Sequence, residues 1–336
     1  MKTILTGIRA NSELTLGNYL GALLPMVRLA NKHSDEMNVN IFVPDLHSII
    51  AEIDGDLKAN IVKTIKYYLA AGLKVNKNVH IYRQSYVPAH SELCWILNTV
   101  ATMGETSRMT QYKEKSEGRE SCNVGIFDYP ILMAADILLY SAEYVPIGED
   151  QFQHIELARN LAMRFNNRFG ETFVVPVKTA EQVKFMGITD GVRIRDLLNP
   201  EKKMSKSTPS ENSKIMLDDE PSKAAKKIMS ATTDSLGKVK FDMFYQPGIS
   251  NLLMIDALVT DTPIQDVIAT WAGQTQYGEL KKKVAADVSE MLADFQAKLA
   301  QIDDEQIYGL FEDGEEYANG IAGNKLLEVQ KVVGLR

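Results

Sequence analysis

Cysteine is scarce in this chain, and its scarcity excludes a metal-binding or redox motif built on thiols. Only two cysteines are present, Cys94 and Cys122, and their separation fits neither kind of spacing. Long apolar runs are also missing, since no stretch reaches the roughly 18 residues of a membrane-spanning helix. The N-terminal sequence MKTILTGIRANSEL has no charged segment followed by a long apolar one, as a signal peptide would. We therefore expect a cytoplasmic protein that has no membrane partner.

An excess of positive charge is absent as well. The formal net charge of -7 argues against a protein enclosed by nucleic acid over most of its surface, but it is compatible with a local basic patch. The sequence contains no internal repeat and no low-complexity tract. The composition is that of an ordinary globular protein, and its 45% of hydrophobic residues suffice for a core. The length of 336 residues predicts two or three domains.

The first half of the chain alternates short apolar runs with longer helical patterns. Helical patterns cover residues 17–32 and 56–73, and such alternation is typical of βαβ units with a parallel sheet. We therefore predict an α/β fold with a Rossmann-like sheet, in which ligands bind beyond the carboxyl ends of the strands. The apolar runs predicted as strands are 3–6, 40–43, 79–83 and 144–147.

The character of the sequence changes near residue 218. From there to about residue 299 the patterns are helical and no strand is indicated, which predicts a smaller α-helical domain. The last thirty residues or so form another helical pattern that we expect to pack on the first domain. The predicted division is a catalytic domain at 1–217, joined by a C-terminal helix at 300–336, and a helical domain at 218–299.

A lone carboxylate, Asp136, lies in an otherwise apolar helical pattern. Pro130 suits the first turn of that helix, and Tyr129, Met133, Asp136 and Tyr140 fall on one stripe at about 100° per residue. A buried carboxylate requires hydrogen-bond donors. Two interpretations stay open from periodicity alone: a structural Asp satisfied by a backbone amide or an Arg, or a binding residue whose donor belongs to a ligand.

Two short motifs follow predicted strands. Thr15-Leu16-Gly17-Asn18 opens the first helix, where the free N–H groups favour a phosphate, although a Thr N-cap is commonly structural. Gly148-Glu149-Asp150-Gln151 follows the run at 144–147, and its acidic residue can accept from a ribose. Its structural alternative is an acidic first turn of a helix.

A third motif is the polar segment Lys202-Lys203-Met204-Ser205-Lys206-Ser207, which prolines bound on both sides. Such a composition predicts a loop. A lysine cluster in a loop is commonly just solvated. Two lysines three apart can instead contact a polyphosphate and stabilise the charge on departing pyrophosphate.

Together these motifs resemble the class I aminoacyl-tRNA synthetases. Residues 15–18 look like a variant of the first signature, His-x-Gly-His, and residues 203–207 spell the second, KMSKS, without change. The body of the chain resembles the tryptophanyl-tRNA synthetase family over essentially its whole length. The segments that carry this likeness are PDLHS at 44–48, VPAHSEL at 87–93, MTQYKEKS at 109–116, YPILMAADILLY at 129–140, VPIGEDQFQHIELAR at 145–159 and QPGISNLL at 246–253.

The resemblance implies a tryptophan site around Asp136, which would accept the indole N–H. Tyr129 and Gln151 would hold the amino-acid head group, and His47 is a further pocket residue. The implied lining of the ring pocket is Leu5, Met133, Val145 and Ile147.

The resemblance also implies that ATP and Mg²⁺ are required, with Mg²⁺ bound through the ATP phosphates and by no metal site of the protein. Asp150 would contact the ribose, and Lys115, Lys203 and Lys206 would stabilise the phosphates as catalytic residues. The full ATP-binding set implied is Arg9, Thr15, Gly17, Asn18, Gly148, Asp150, Lys203, Met204, Ser205, Lys206 and Ser207.

The partners implied are L-tryptophan, tRNA(Trp) and a second copy of the chain, with the helical domain reading the anticodon. The chain departs from the family pattern at Ala10-Asn11-Ser12, where Pro-Thr/Ser-Gly is usual, and at Thr208, where Asp is common. We expect these departures to affect rates and loop geometry. Two alternatives remain at this point: a related enzyme, such as a tyrosine-type synthetase or small adenylyltransferase, and a non-catalytic sensor of tryptophan or RNA.

Overall fold

Three parallel strands form the centre of the N-terminal half. The computed structural model describes residues 1–10, 13–50, 55–116, 122–187 and 193–336, leaving aside the side chains of 114–116. The strands are β1 (Thr3–Gly7), β2 (Asn38–Val43) and β3 (Val79–Arg83), in the order β1-β2-β3. Leu5 is opposite Asn40, and Asn40 is opposite His80. The predicted parallel sheet is confirmed.

A fourth segment pairs with the other edge of β1. Ile4 forms a parallel bridge with Tyr144, and Leu5 N donates to Tyr144 O at 2.9 Å. The predicted strand at 144–147 is therefore reduced to one bridged residue. The Tyr144 segment and β2 lie on opposite sides of β1. The order in which strands are added to the sheet therefore reverses at β1. Such a reversal opens a crevice at the carboxyl ends of the strands.

Helices surround this sheet and make up the rest of the chain. A π-helical turn, Tyr19–Leu23, joins the first two helices. The helices are α1 (Leu16–Asn18), α2 (Leu24–His33), α3 (Asp45–Ser48), α4 (Leu57–Ala70), α5 (Ala89–Asn98), α6 (Met103–Ser107), α7 (Thr110–Ser116), α8 (Val124–Leu139), α9 (Phe152–Phe169), α10 (Thr179–Met186), α11 (Pro221–Met229), α12 (Pro247–Val259), α13 (Ile264–Trp271), α14 (Tyr277–Leu299) and α15 (Asp304–Val332).

The sheet separates two apolar clusters, as alternation of side chains along a strand requires. Ile4 and Ile41 belong to the cluster that includes α2 and α4. Leu5, Phe42 and Tyr82 belong to the cluster that includes α5, α8 and α9. Helices thus cover both faces, as in doubly wound α/β folds.

Helix α8 begins earlier than the sequence predicts. Asn123 caps it by accepting from Ile126 N at 3.0 Å, so that Pro130 lies inside the helix. The prediction that Pro130 opens the helix is wrong, because one side-chain cap moves the start to Val124. The proline removes only the bond that residue 130 would donate to the carbonyl of Ile126. The rest of the helix is buried on almost every side.

The C-terminal helices divide into a bundle and a returning helix. α11, α12 and α14 pack on one another, and α14 also contacts α4. The returning helix, α15, packs along β3, where Gly314 lies so close that any Cβ would collide with the carbonyl of Ile81. Arg83 binds Glu315 through two N–H groups, at 2.6 and 3.0 Å, which fixes the position of α15 along the sheet.

Candidate active site

Asp136 lies at the carboxyl edge of the sheet, surrounded by three side-chain donors. His47 on α3 donates from Nε2 to Oδ2 at 2.9 Å. Gln84, directly after β3, donates from Nε2 to Oδ1 at 2.7 Å, and His90 on α5 contacts Oδ1 through Nδ1 at 2.6 Å. The carboxylate is 1% exposed. Strand ends and two helices therefore converge on one acceptor, and among the described residues its partners are neither a backbone amide nor an Arg.

The two oxygens of Asp136 are used unequally. A carboxylate offers about four lone-pair positions, two on each oxygen. Oδ1 accepts two hydrogen bonds, from Gln84 and His90, whereas Oδ2 accepts one from the described residues, that of His47. Gln84 and His90 are fully buried, while His47 is partly exposed. One acceptor position thus remains on Oδ2, on the side of the more exposed partner.

These donors also determine the charge of the carboxyl group. Burial opposes ionisation of Asp136, but the hydrogen bonds from His47 and His90 outweigh it and lower the pKa of the carboxyl to about 2. Asp136 is therefore ionised at neutral pH. An ionised carboxylate only accepts hydrogen bonds, so the remaining position selects a donor such as a ring N–H.

A chain of hydrogen bonds leads from Tyr129 to Asp150. The hydroxyl of Tyr129 donates to Gln111 Oε1 at 3.0 Å, and Gln111 Nε2 donates to Asp150 Oδ2 at 3.2 Å. Gln151 Nε2 donates to the same Asp150 oxygen at 2.6 Å. His154 also contacts the Tyr129 hydroxyl at 3.1 Å. The structure thus brings together two residues predicted for the amino acid, Tyr129 and Gln151, and one predicted for the ribose.

The four residues predicted to line the ring pocket lie in one apolar cluster with α8. Leu5 and Val145 are buried there, and Met133 and Ile147 pack against it while remaining partly exposed. Leu5 lies on β1 and Val145 follows the bridged Tyr144, so the two flank the crevice where the sheet reverses. Val145 N donates to Gln182 Oε1 at 2.9 Å, which holds this segment in place.

The two signature motifs meet in space. Leu16 N donates to Ile215 O at 2.7 Å, and Met204 N donates to Ile194 O at 2.9 Å. A Cβ on Gly17 would lie 3.3 Å from the Cβ of Met204, so glycine lets the second motif pack directly on α1. Met204 is buried in the core, which anchors the centre of the KMSKS segment.

Thr15 and Asn18 satisfy each other at the start of α1. Thr15 Oγ1 accepts from Asn18 N at 3.2 Å, and Thr15 N donates to Asn18 Oδ1 at 3.1 Å, which is a reciprocal cap. Thr15 is fully buried. Thr15 therefore acts as a structural N-cap, as one of the two interpretations of this motif predicts. The cap holds the N-terminus of α1 in a fixed conformation.

The exposed part of the KMSKS segment carries Lys203 and Lys206, on either side of the buried Met204. Ser205 Oγ and Ser207 Oγ lie 3.0 Å apart. Lys214 supports the segment from below: its Nζ donates to the carbonyls of Lys206 and Thr208, each at 2.8 Å. Lys214 is buried, so these two backbone acceptors depend on it.

The remaining residues predicted for ATP lie around the same crevice. Arg9 is exposed on the loop after β1, and Gly148 precedes the short turn Glu149–Gln151. Gly148 lies against Asp150, since a Cβ there would be 2.7 Å from Asp150 Oδ1. Lys115 is in α7, but its side chain is outside the described part, as are Asn11 and Ser12.

The lysines of α11 and of the start of α14 are candidates from the sequence for contacts to tRNA phosphate, although a charged helix face is more often merely solvated. Lys227 is 2% exposed and pairs with Asp219 at 2.5 Å, so it is not among the residues that could contact phosphate. Lys281 donates to the carbonyl of Ala231 at 2.7 Å, and Lys283 pairs with Asp287 at 2.5 Å. Lys223 and Lys226 are exposed on α11.

Four residues of the site were missed when the sequence was read alone. Gln84 and His90 bind Asp136, Gln111 links Tyr129 to Asp150, and Lys214 supports the KMSKS segment. His90 and Gln111 lie in segments that carry the family resemblance, which was a usable signal. Gln84 follows a strand directly, at the position where ligand-binding loops begin. Lys214 carries no local signal.

Known proteins resemble this chain over most or all of its length. The model of the family described as tRNA synthetases class I (W and Y) matches residues 1–293. A tryptophan–tRNA ligase of Caldanaerobacter subterraneus subsp. tengcongensis is 44% identical over 100% of this chain and 99% of its own length. One of Bacillus subtilis is 41% identical over 99% of this chain and 98% of its own length.

Solved structures give the same result. The crystal structure of tryptophanyl-tRNA synthetase from Mycoplasma pneumoniae has a TM-score of 0.81 and 34% identity, covering 100% of this chain and 98% of that one. The enzyme from Campylobacter jejuni, complexed with ADP and tryptophan, has a TM-score of 0.77 and 27% identity, covering 99% and 100%.

The fold, the two joined signatures and the family match define a class I aminoacyl-tRNA synthetase. This class includes enzymes for tryptophan and for tyrosine, and the relatives named above are of the tryptophan type. The chain belongs to the tryptophanyl-tRNA synthetase family.

Proposed function

We propose that Asp136 selects L-tryptophan by accepting its indole N–H at Oδ2, beside His47. As a member of its family, the chain activates tryptophan with ATP and charges tRNA with it; the proposal assigns these steps to residues. The observation that carries it is the unequal use of the carboxylate, in which Oδ1 accepts two hydrogen bonds and Oδ2 one.

The rest of the amino acid fits the neighbouring groups. Leu5, Met133, Val145 and Ile147 provide an apolar lining for the indole ring. Tyr129 and Gln151 present a hydroxyl and an amide toward Asp150, where the head group would approach the nucleotide. Rearrangement of the chain through Gln111 would let Tyr129 and Gln151 bind the substrate.

ATP is assigned to the crevice between the loop after β1 and the segment at 148–151. Gly17 at the start of α1 has no side chain and would let phosphate approach the backbone, and Asp150 would accept from the ribose. Lys115, Lys203 and Lys206 would neutralise the phosphates. Mg²⁺ would enter bound to ATP and supply further charge neutralisation; the described residues contain no cluster of three or more His, Cys, Asp or Glu able to hold a metal ion.

The reaction needs no protein nucleophile. The tryptophan carboxylate attacks the α-phosphorus, the bond to the bridging oxygen breaks, and pyrophosphate leaves with its charge stabilised by the lysines. The terminal ribose hydroxyl of tRNA(Trp) then displaces AMP from the adenylate. Positioning of the two substrates and stabilisation of charge supply the catalysis.

Discrimination follows from the buried acceptor. Phenylalanine has no donor for Oδ2, and a tyrosine hydroxyl lies at a different place on the ring, so either competitor leaves a desolvated carboxylate position unmatched. Sites that require a hydrogen bond from the substrate reject an analogue without it by roughly 10⁴–10⁵. Ring size alone would give much less discrimination.

Amino-acid-dependent exchange of labelled pyrophosphate into ATP tests this assignment. We expect exchange with tryptophan, and exchange with tyrosine in its place would contradict the specificity. Asp136→Ala is expected to lower kcat/KM for tryptophan about 100-fold while KM for ATP changes by no more than about threefold. Asp313→Ala, which removes an exposed carboxylate of α15, is the control. Equal losses for both substrates would exclude the indole role of Asp136.

The partners and location form a second part of the proposal. We propose a homodimer formed through the cleft of about 440 Å³ next to Tyr129, where Trp95 is 73% and Ile49 61% exposed. The helical unit at 218–299 would read the anticodon, while 1–217 with 300–336 holds the catalytic centre.

A cytoplasmic location agrees with the two unpaired thiols, Cys94 and Cys122. No helix in the described ranges is long and apolar enough to cross a membrane.

A further inference from the structure

His90 is engaged at both ring nitrogens although no solvent reaches it. Its Nδ1 lies 2.6 Å from Asp136 Oδ1, and its Nε2 lies 2.9 Å from the hydroxyl of Tyr140. The imidazole is fully buried, and its ring packs near those of Phe42 and Tyr82 at centroid distances of 6.3 and 6.5 Å. The ring therefore has a fixed position on the side of Asp136 that faces the core.

The hydrogen bonds define which nitrogen carries the proton. Asp136 is ionised and can only accept, so Nδ1 of His90 must donate. At its other nitrogen, Nε2, His90 meets the hydroxyl of Tyr140, which retains its proton because burial raises the pKa of Tyr140 well above its ordinary value. His90 thus donates to Asp136, and its contact with Tyr140 at the opposite nitrogen fixes the orientation of the ring.

Gln84 strengthens the same arrangement. Its Nε2 donates to Asp136 Oδ1, and its buried Oε1 has no hydrogen-bond partner in the described part of the chain. Reversing this amide would place Oε1 against the carboxylate, which repulsion forbids. Oδ1 thus receives two buried donors that cannot exchange with water.

We propose that His90 is a positioning residue for the recognition of tryptophan. By donating Nδ1–H to Oδ1 while Tyr140 holds its Nε2, His90 fixes the rotation of the Asp136 carboxylate, so that the remaining acceptor position of Oδ2 points to the indole N–H. The inference rests on the proposed role of Asp136. His90 itself does not touch the substrate.

The test compares tryptophan with an analogue that has sulfur in place of the ring N–H, L-3-(1-benzothiophen-3-yl)alanine, in pyrophosphate exchange. The wild-type enzyme should prefer tryptophan. His90→Leu should lower kcat/KM for tryptophan about 10- to 100-fold, and should change that for the sulfur analogue by no more than about twofold. His90→Asn, whose amide N–H can occupy the place of Nδ1–H, should recover most of the loss.

The outcomes separate the two proposals. Equal losses for both substrates in His90→Leu, or no recovery in His90→Asn, would show a merely structural role and overturn the inference, while leaving Asp136 as assigned. A wild-type enzyme that exchanges with tryptophan but does not prefer it to the analogue would overturn the role of Asp136 and this inference together.

A measurement on the unmodified protein guards against variants that fail to fold. With ¹⁵N-labelled histidine, the nitrogen chemical shifts of His90 should show Nδ1 protonated at neutral pH. An unprotonated Nδ1 would exclude donation to Asp136 and overturn the inference.

Discussion

Gly17 and Met204 lie in direct contact, with only 3.3 Å between the place of a Cβ on Gly17 and the Cβ of Met204. Gly17 belongs to the first signature and Met204 to the second, and more than half of the chain separates them in sequence. Their contact fixes the start of α1, where phosphate is expected, relative to Lys203 and Lys206. The position of the KMSKS segment therefore depends on the absence of one side chain.

A methyl group at position 17 tests this dependence. In Gly17→Ala, Met204 must move by a few tenths of an ångström, and Lys203 moves with it. We expect kcat/KM for ATP to fall roughly tenfold, since small errors of position are costly in group transfer, with KM for tryptophan unchanged. Gly323→Ala is the matched control, because nothing lies within 4 Å of a Cβ there. A loss of tryptophan binding in Gly17→Ala would contradict the interpretation.

Lys214 provides a second test of the same segment. Lys214→Met retains length and apolar volume but leaves the carbonyls of Lys206 and Thr208 without their donor. We expect kcat for pyrophosphate exchange to fall about 10-fold, with faster proteolysis at the segment, since a hydrogen bond from a charged donor contributes about 1.5–3 kcal/mol. Lys202→Met, at an exposed position of the same segment, should leave both measurements near the wild-type values. If both variants behave alike, Lys214 does not hold the segment.

Asp256 makes the helical bundle sensitive to pH. It lies buried in α12, facing Lys283 at 3.8 Å, the carboxyl of Asp287 and the indole of Trp271. Burial and the hydrogen bond with Asp287 outweigh the attraction of Lys283 and raise the pKa of Asp256 to about 6. The folded state thus holds this proton more tightly than the unfolded state, whose pKa is the ordinary 3.8. The resulting stability is fully present below about pH 4 and is lost as the pH rises through 6.

Asp256→Asn should remove that dependence, because an amide mimics the protonated acid. Urea unfolding at pH 4 to 7 should show the free energy of unfolding of the wild-type protein falling, relative to the variant, by on the order of 1 kcal/mol. Asp313→Asn, at an exposed position of α15, should follow the wild-type curve. Parallel curves for all three proteins would mean that Asp256 titrates with its ordinary pKa.

Trp95 is the residue with which to test the proposed dimer. Its side chain is 73% exposed at the rim of the cleft next to Tyr129. Trp95→Glu should weaken dimerisation by about 30-fold or more in sedimentation equilibrium, since buried aromatic anchors contribute about 2 kcal/mol or more to an interface. Phe244→Glu alters an equally prominent aromatic, 83% exposed beside the helical bundle, and should leave the dimer intact. A dimer that withstands Trp95→Glu would place the interface elsewhere.

Local patterns in the sequence predicted the elements well where the signal was periodic. The parallel strands and the helices after residue 218 lie close to their predicted positions, because periodic burial and turn residues act over short distances. The prediction from Pro130 was wrong because the preference of proline for a first turn is weaker than an Asn cap seven residues upstream. The apolar run at 144–147 predicted a longer strand than the structure contains, since only Tyr144 pairs with the edge of β1.

The site was less accessible to sequence reasoning, for a physical reason. Asp136 was recognisable as a buried carboxylate, but its donors come from α3, the end of β3 and α5, and no local rule brings these together. Lys227 had the pattern of an exposed basic face and instead pairs with Asp219 in the interior. The assignment of substrates to individual residues stays a prediction, because it depends on donors that the substrates themselves must supply.

The packing of α15 on β3 has a consequence for how the protein is made. Arg83 and Glu315, which join the sheet to the last helix, are 232 positions apart in the chain. The edge of β3 therefore stays uncovered on the ribosome until nearly all of the polypeptide has been synthesised. Contacts of such separation slow folding, because the chain must close a long loop before it gains them. The nascent chain thus exposes an open strand edge for most of its synthesis, and this is the interval in which it is most open to capture by a chaperone.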